Sequence, residues 1–207
     1  MENIENPSAE NTEQVKLQRT QAQQKNILSY LHDLVFGLVA VLLVFMLVFR
    51  MVIVSGPSMR MTLMNGDAII LLSSTFYHEP KYGDIIVASK DSFKEGEPII
   101  KRVIAIEGQK VDIDFVEGIV YVDDQPLDEP YTNTPTNLPE GVTLPLIVEP
   151  GCIFVMGDNR NDSKDSRSPE IGLIDKREIL GKALFLLLPG KDAATDKRDF
   201  SRIGVLG

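Results

Sequence analysis

Histidine and cysteine are scarce in this chain of 207 residues, and their scarcity limits its chemistry. We interpret the two histidines, His32 and His78, as surface residues at the start of an apolar run and in a polar turn. The single cysteine, Cys152, excludes an intrachain disulfide, and its apolar neighbours favour a buried strand position. The formal net charge of −9 argues against nucleic acid as a partner, because phosphate binding requires clustered Lys and Arg.

Several catalytic motifs are also absent. The sequence contains no His-Glu-x-x-His, no Ser-x-x-Lys, no Gly-x-Ser-x-Gly and no Gly-rich phosphate loop. These absences argue against a zincin, a penicillin-binding site and an α/β-hydrolase. Because both histidines are interpreted as surface residues, a serine nucleophile in this chain would need a general base other than histidine.

A long apolar run lies near the N-terminus. Residues 34–49 contain no charged or polar side chain, and the run resumes after Arg50 up to Val54. Its length matches the roughly 20 residues that cross a bilayer as a helix. A buried core helix and a cleaved signal peptide are the alternatives, but the run lacks a polar face, and Pro57 disfavours cleavage. We therefore predict an uncleaved transmembrane anchor over residues 27–54.

The segment before the anchor, residues 1–26, is polar and contains Lys16, Arg19 and Lys25. We predict a mobile tail that becomes helical near its end. The cations that precede the anchor favour a cytoplasmic N-terminus. The domain that follows, residues 55–207, would then be extracytoplasmic.

From residue 51 onward the pattern is typical of β-structure. Short runs rich in Ile, Val, Leu and Phe are separated by Gly, Pro, Asp and Asn, and no long segment has helical periodicity. Six of the twelve prolines lie within residues 126–150, so we predict an inserted loop region at about 124–150. The predicted strands are Ala68–Leu72, Asp84–Ala88, Ile99–Ile106, Lys110–Phe115, Ile119–Val122, Cys152–Met156 and Ala183–Leu188.

Ser58 lies in the motif Ser-Gly-Pro-Ser-Met directly after the apolar run. Gly56 and Pro57 suit a sharp chain reversal that presents a side chain. Taken alone, the motif is more typical of an ordinary turn serine than of a nucleophile.

Lys101 lies in a predicted strand, where it shares one face with Ile99, Val103 and Ala105. One interpretation is an edge-strand lysine that discourages aggregation. The other is a buried lysine, since burial would lower the pKa of the amine from about 10.4. A neutral amine can take the proton of a serine hydroxyl. Arg102, on the opposite face, cannot act as a base because guanidinium stays protonated.

A hydrophilic loop at 157–167 follows the predicted strand that ends at Met156. Its turn-forming residues are typical of any surface loop. It also concentrates three carboxylates, two arginines and two hydroxyl groups, which can form a hydrogen-bonded shell that orients a lysine amine.

Taken together and in order, these motifs resemble the bacterial type I signal peptidase family, in its Gram-positive form with one N-terminal anchor. Ser-Gly-Pro-Ser-Met contains Ser58, and Ile-Lys-Arg-Val-Ile-Ala contains Lys101. Asn-Gly-Asp at 65–67 and Tyr-Gly-Asp-Ile-Ile-Val at 82–87 lie between them. Met-Gly-Asp-Asn-Arg and Ser-x-Asp-Ser-Arg follow at 156–167.

The resemblance extends from about residue 30 to 190 and implies an antiparallel β-sheet catalytic domain with a small inserted subdomain. It implies no metal or organic cofactor. Ser58 would be the nucleophile and Lys101 the general base, and Ser163 would hydrogen-bond the lysine amine. The oxyanion hole would rest on the backbone N–H of Ser58, because Gly56 stands where other members carry a serine.

The resemblance also implies an ion pair between Asp165 and Arg167, with Asp158 nearby as a structural support. One departure is Met61, which replaces a proline that is frequent in the family. The turn after the nucleophile is therefore expected to differ from that of other members.

Signal peptides of secreted pre-proteins are the implied substrates, and membrane lipid and the secretion machinery are the expected partners. The substrate would bind in an extended conformation beside two strands, with small residues selected one and three places before the cut. The residues expected to contact it are Ile53, Val54, Gly56, Pro57, Met59, Pro98, Ile99 and Ile100.

The sequence therefore favours a membrane-bound serine endopeptidase that removes signal peptides by acyl-enzyme catalysis at the bacterial cell membrane. A self-cleaving Ser–Lys regulator of the repressor type shares the chemistry, but the anchor and the lack of a DNA-binding helical domain argue against it. A catalytically silent, membrane-tethered β module that binds exported proteins is the other alternative. The presence of both Ser58 and Lys101 argues against such a module.

Overall fold

The computed structural model describes residues 8–192 and 195–206, and the chain divides into two compact units, residues 1–47 and 48–207. The described part of the first unit is helical and belongs to α1 (Ser8–Val48). The segment Asn26–Val48 has a mean hydropathy of 2.6 and is not buried within the protein. Because a helix that is apolar all round needs an apolar environment, this exposure favours a membrane span over a core helix.

Helix α1 begins earlier and ends earlier than the sequence pattern indicates. It begins at Ser8, so much of the predicted tail is helical, consistent with the absence of Gly and Pro from residues 8–26. It ends at Val48, whereas the predicted anchor ends at Val54. Phe49–Ile53 form a strand that pairs antiparallel with Ala68–Ser73, which satisfies their backbone groups outside the helix.

The second unit is built from two antiparallel sheets. In chain order its strands are β1 (Phe49–Ile53), β2 (Ala68–Ser73), β3 (Ile85–Ala88), β4 (Ile99–Ile106), β5 (Lys110–Asp114), β6 (Ile119–Val122), β7 (Gln125–Pro126), β8 (Leu146–Ile147), β9 (Cys152–Met156), β10 (Ile174–Asp175), β11 (Ile179–Leu188) and β12 (Gly204–Val205). The larger sheet has the order β1-β2-β11-β3-β4-β9-β10, with β12 paired to β11. The smaller sheet has the order β7-β6-β5-β8. Short 3₁₀ turns lie at Lys94–Gly96, Lys176–Glu178 and Phe200–Arg202.

Each of the seven predicted strands is present, which confirms a mainly β, antiparallel domain. The sequence did not indicate β1, β7, β8, β10 or β12, and four of these have two residues, too few for a hydrophobic pattern. The smaller sheet, which starts at Lys110, forms the inserted subdomain, which contains most of the proline-rich stretch at about 124–150. Cys152 lies in β9 as expected but is only partly buried.

Strand β4 is buried on both faces, because one apolar cluster packs on each side of it. Ile99 and Val103 pack in the first cluster, whereas Ile104 and Ala105 pack in the second, which joins the two sheets. An irregularity between Val103 and Ala105 in the pairing with β9 separates the two residues. The shared face expected for Val103 and Ala105 is therefore wrong, although Lys101 and its neighbour Arg102 are both buried.

Candidate active site

The turn that carries Ser58 is fixed on both of its sides. The backbone N–H and carbonyl of Val54 hydrogen-bond to residues 66–67, each at 2.8 Å. Gly56 adopts a φ of +91°, a conformation that favours glycine. Directly after the turn, Met59 is buried in the core. The chain reversal expected from the Gly-Pro sequence therefore presents the Ser58 side chain from a rigid support.

Ser58 and Lys101 meet across 43 residues of sequence. The Lys101 Nζ donates to Ser58 Oγ at 2.8 Å and to the backbone carbonyl of Ile100 at 2.9 Å. Lys101 is only 4% exposed, which excludes the edge-strand interpretation. An amine this close to a hydroxyl, and shielded from water, has the geometry needed to take the hydroxyl proton.

A cavity of about 610 Å³ opens beside this pair. Six of the eight residues expected to contact substrate line it, namely Ile53, Gly56, Pro57, Pro98, Ile99 and Ile100. The other two, Val54 and Met59, do not, because their side chains are buried in the core at 3% and 1% exposure. Their expected contact with substrate stays a prediction.

The sequence interpretation did not identify another wall of the cavity. Leu138 and Glu140 of the inserted subdomain line it, and so do Asp162 and Lys164 of the loop that follows β9. Phe93, from the loop before β4, also contributes. No local signal marks Leu138 and Glu140, because only the tertiary fold brings the insertion to Ser58 and Lys101.

Ser163 also lines the cavity, but its predicted hydrogen bond to Lys101 is not formed. The Ser163 Oγ is buried and has no hydrogen-bond partner among the described residues. The Lys101 Nζ instead donates to Ser58 Oγ and the Ile100 carbonyl. Ser163 lies close to Ser58 nonetheless, since a side chain added at Gly157 would collide with both Ser163 Oγ and the Ser58 carbonyl oxygen.

Asp165 and Arg167 form the expected ion pair, and both are buried. The Arg167 Nη2 and Nε each lie 2.8 Å from an Asp165 carboxylate oxygen. Asp165 also accepts from the backbone N–H of Gly157 at 3.0 Å. Arg167 donates to the backbone carbonyl of Arg160 at 2.7 Å. The pair therefore fixes the shape of the loop that carries Ser163.

Asp158 belongs to a separate network, which the sequence did not indicate. It accepts from Arg102 Nε at 2.8 Å and from Nη2 at 2.7 Å, and from the Thr62 hydroxyl at 2.5 Å. The Arg102 guanidinium stacks 4.0 Å from the ring centre of Tyr131, and burial raises the pKa of that tyrosine. The network links the nucleophile turn, the strand of Lys101 and the inserted subdomain.

No group of three or more His, Cys, Asp or Glu that could hold a metal ion occurs in residues 8–192 and 195–206. Ser58, Lys101 and Ser163 are among the polar residues that line the cavity, and the buried Asp165–Arg167 and Asp158–Arg102 pairs support the segments that carry them. Such a set suits proton transfer and covalent catalysis by a serine.

The family profile described as "Signal peptidase, peptidase S26" matches residues 27–188. The chain belongs to this family. A probable signal peptidase I-1 of Synechocystis sp. is 39% identical over 66% of this chain and 69% of its own. Signal peptidase I S of Bacillus subtilis is 30% identical over 81% of this chain and 92% of its own. A solved signal peptidase I of Enterococcus faecalis matches with a TM-score of 0.41 at 28% identity, over 50% of this chain and 96% of that one.

As a member of the signal peptidase family, the chain is a serine endopeptidase that removes signal peptides and is anchored in a membrane. The family profile covers both Ser58 and Lys101, together with the loop that carries Ser163. The resemblance inferred from the sequence motifs is confirmed. Neither the family nor the relatives favour the catalytically silent module.

Proposed function

We propose that Ser58 is the nucleophile of this signal peptidase and that Lys101 is its general base. The observation that carries the proposal is the 2.8 Å contact between Ser58 Oγ and a lysine amine that is almost fully buried. Burial penalises the ammonium form, and catalysis needs the neutral amine. His78 is exposed and does not line the cavity, which supports lysine and not histidine as the base.

The reaction would proceed through an acyl-enzyme. Neutral Lys101 takes the hydroxyl proton as Ser58 Oγ attacks the scissile carbonyl, and the resulting ammonium then protonates the leaving amine. The peptide bond breaks, and an ester to Ser58 remains. Lys101, neutral again, deprotonates a water that hydrolyses this ester and releases the signal peptide. The backbone N–H of Ser58 would stabilise the oxyanion in both tetrahedral intermediates.

The acyl part of the substrate would lie extended between the end of β1 and the start of β4. Ile53 and Pro57 on one side, and Pro98 and Ile100 on the other, line the cavity next to the dyad. Extended peptides bind such sites by adding main-chain hydrogen bonds to a strand. Narrow apolar walls on both sides would favour small side chains near the cut.

The two buried ion pairs would act through the positions of other groups. Asp165–Arg167 holds the loop of Ser163, while Asp158–Arg102 joins the strand of Lys101 to Thr62 in the nucleophile turn. Breaking a buried pair by removing one partner costs about 3–5 kcal/mol. These pairs would therefore keep the distance between hydroxyl and amine fixed without contacting substrate.

The chain would cross the membrane once, with its N-terminus in the cytoplasm and residues 48–207 on the outer side. Lys16, Arg19 and Lys25 precede the apolar segment Asn26–Val48, and clustered cations favour the cytoplasmic side. This orientation would place the protease where exported pre-proteins emerge, and the secretion machinery is an expected neighbour. Protease added to spheroplasts should digest the second unit, and resistance of that unit would contradict the orientation.

The dyad is tested by cleavage of a pre-protein by the detergent-solubilised full chain. Ser58→Ala and Lys101→Ala should each lower the rate by at least about 10³-fold, because each removes a reacting group. Lys101→Arg should be equally inactive, since guanidinium retains its proton. His78→Ala is the matched control and should cleave at the wild-type rate. Inactivity of a folded His78→Ala, or activity of Lys101→Arg, would contradict the assignment.

A further inference from the structure

Two buried polar atoms in the active-site cavity have no hydrogen-bond partner. They are Glu140 Oε2 and Ser163 Oγ, and no other buried side-chain nitrogen or oxygen of the described residues is unpaired. Both residues line the cavity that contains Ser58 and Lys101. An unpaired buried polar atom is costly, so two of them in one cavity indicate that a polar ligand completes this wall.

Glu140 is held in place although it belongs to a long insertion. The Arg167 side chain donates to the backbone carbonyl of Leu138 at 3.1 Å, and the Arg167 carbonyl accepts from the backbone N–H of Val142 at 2.9 Å. The residues on either side of Glu140 are therefore attached to the arginine whose own partner is Asp165. This attachment gives the Glu140 carboxylate a defined position at the cavity.

The cations near Glu140 are engaged with other carboxylates. Arg167 pairs with Asp165 at 2.8 Å, and the exposed Lys164 lies 3.9 Å from Glu170. Burial and the negative charge of Asp165 raise the pKa of Glu140, while Arg167, Lys164 and a hydrogen bond from the Asp165 backbone act in the opposite direction. The negative charge of ionised Glu140 is thus incompletely balanced by its neighbours. It would attract positive groups and repel negative groups of a molecule bound in the cavity.

We propose that Glu140 forms a substrate subsite that favours basic side chains in the bound pre-protein and disfavours acidic ones. The inference rests on the proposed function, because it assumes that an extended peptide fills the cavity. The Glu140 carboxylate accepts hydrogen bonds from Lys or Arg side chains, whereas Asp and Glu side chains meet like charge. The subsite adds a contribution of the inserted subdomain to specificity, beyond the selection of small residues at the cut.

The test is a charge scan with the solubilised full chain. Each substrate position from four before to four after the cut carries Lys, Gln or Glu in turn, and kcat/KM is measured for every peptide. At one of these positions, the kcat/KM of wild type should be about fivefold higher for the Lys peptide than for the Glu peptide. Glu140→Gln, which keeps the shape of the side chain, should reduce that preference to below about twofold. Lys164→Gln should increase it, because it removes a positive charge from the same wall.

Glu149→Gln is the matched control, because Glu149 is exposed and does not line the cavity. Its Lys-to-Glu preference should equal that of wild type. Equal preferences in wild type and Glu140→Gln at every position would overturn the subsite, even while both enzymes cleave the Gln peptides. Should Glu140→Gln fail to fold, Glu140→Ala must give the same loss of preference. Cleavage by Ser58→Ala would instead overturn the proposed function, so the two failures are distinguishable.

Discussion

At the scale of single residues, Lys101 and Arg102 show how neighbouring buried cations serve different purposes. Arg102 has a bidentate contact with Asp158 and an aromatic face from Tyr131, which together stabilise a permanent charge. Lys101 donates to the Ser58 hydroxyl and the Ile100 carbonyl. A lysine ammonium can lose its proton and become a neutral amine, whereas a guanidinium stays protonated, so of the two only the lysine can act as a base. Exchanging the two residue types would remove the base without changing the net charge.

Glu140 gives a prediction for the pH dependence of stability. Burial, followed by the charge of Asp165, raises its pKa above the ordinary 4.5, so the folded state binds the proton more tightly than the unfolded state. Stability is therefore lost as the pH rises from about 4.5 through the raised pKa, where Glu140 ionises. Glu140→Gln should remove this loss. The difference in unfolding free energy between the variant and wild type should shift in favour of the variant with increasing pH.

Urea denaturation from pH 4 to pH 8 measures this difference. Glu149→Gln, at an exposed position, should show no comparable pH dependence. A difference between Glu140→Gln and wild type that stays constant over this range would contradict the prediction. A stability cost that is present only when Glu140 is ionised would fit a residue retained for substrate binding.

At the scale of elements, the site depends on the junction between β9 and the loop that follows it. Gly157 is the first residue after β9, and its backbone N–H donates to Asp165 at 3.0 Å. Asn159 approaches the nucleophile turn, where its backbone N–H donates to the Ser58 carbonyl at 3.0 Å. The loop thus contacts the back of the nucleophile turn, and there is no space between them for an extra atom.

Gly157→Ala tests this close approach. The added methyl group would collide with Ser163 Oγ and with the Ser58 carbonyl oxygen, so the turn of Ser58 must shift relative to the loop of Ser163. Cleavage should fall by about 10²-fold, as expected for a displacement of about 1 Å at the reacting atoms. Gly204→Ala is the control, since nothing lies within 4 Å of its added atom and its φ is not positive. Wild-type kcat in a folded Gly157→Ala would contradict the argument.

At the scale of the whole molecule, the N-terminal helix and the second unit are expected to have separate roles, namely membrane attachment and cleavage. The three apolar clusters lie in the second unit, so its stability is expected not to depend on the helix. The helix presents the apolar segment Asn26–Val48, which a membrane would surround. Holding enzyme and pre-protein in one bilayer raises their effective concentration without any new contact.

Deletion of residues 2–47 tests this division. The truncated protein should fold, fractionate with soluble proteins and cleave a soluble peptide with nearly unchanged kcat/KM. Processing of a membrane-bound pre-protein in vesicles should slow by at least about tenfold, because the effective concentration is lost. Replacing Asn26–Val48 with an unrelated apolar helix is the control and should restore processing. Equal vesicle processing with and without an anchor would contradict the tethering role.

Much of this protein follows from local sequence properties. The long apolar run predicted the helix, and the Ile- and Val-rich segments predicted seven of the eight strands with four or more residues, because each pattern reports burial over several consecutive residues. The exception is β1, whose residues were assigned to the anchor. The two-residue strands carry no such pattern and were missed. The Ser58 and Lys101 motifs indicated the chemistry only together with the other motifs and in their order, because a turn serine alone is ordinary.

The wall of the cavity that faces the dyad was decided by tertiary structure alone. Leu138 and Glu140 lie in a proline-rich insertion without a hydrophobic pattern, and they line the cavity where Arg167 hydrogen-bonds to Leu138 and Val142. The missing bond from Ser163 to Lys101, and the burial of Val54 and Met59, also depend on contacts between distant segments. Local sequence fixes which residues prefer a strand or a turn. Which side chains share a cavity depends on packing between elements that are distant in sequence. A short stretch of sequence carries no pattern that reports such packing.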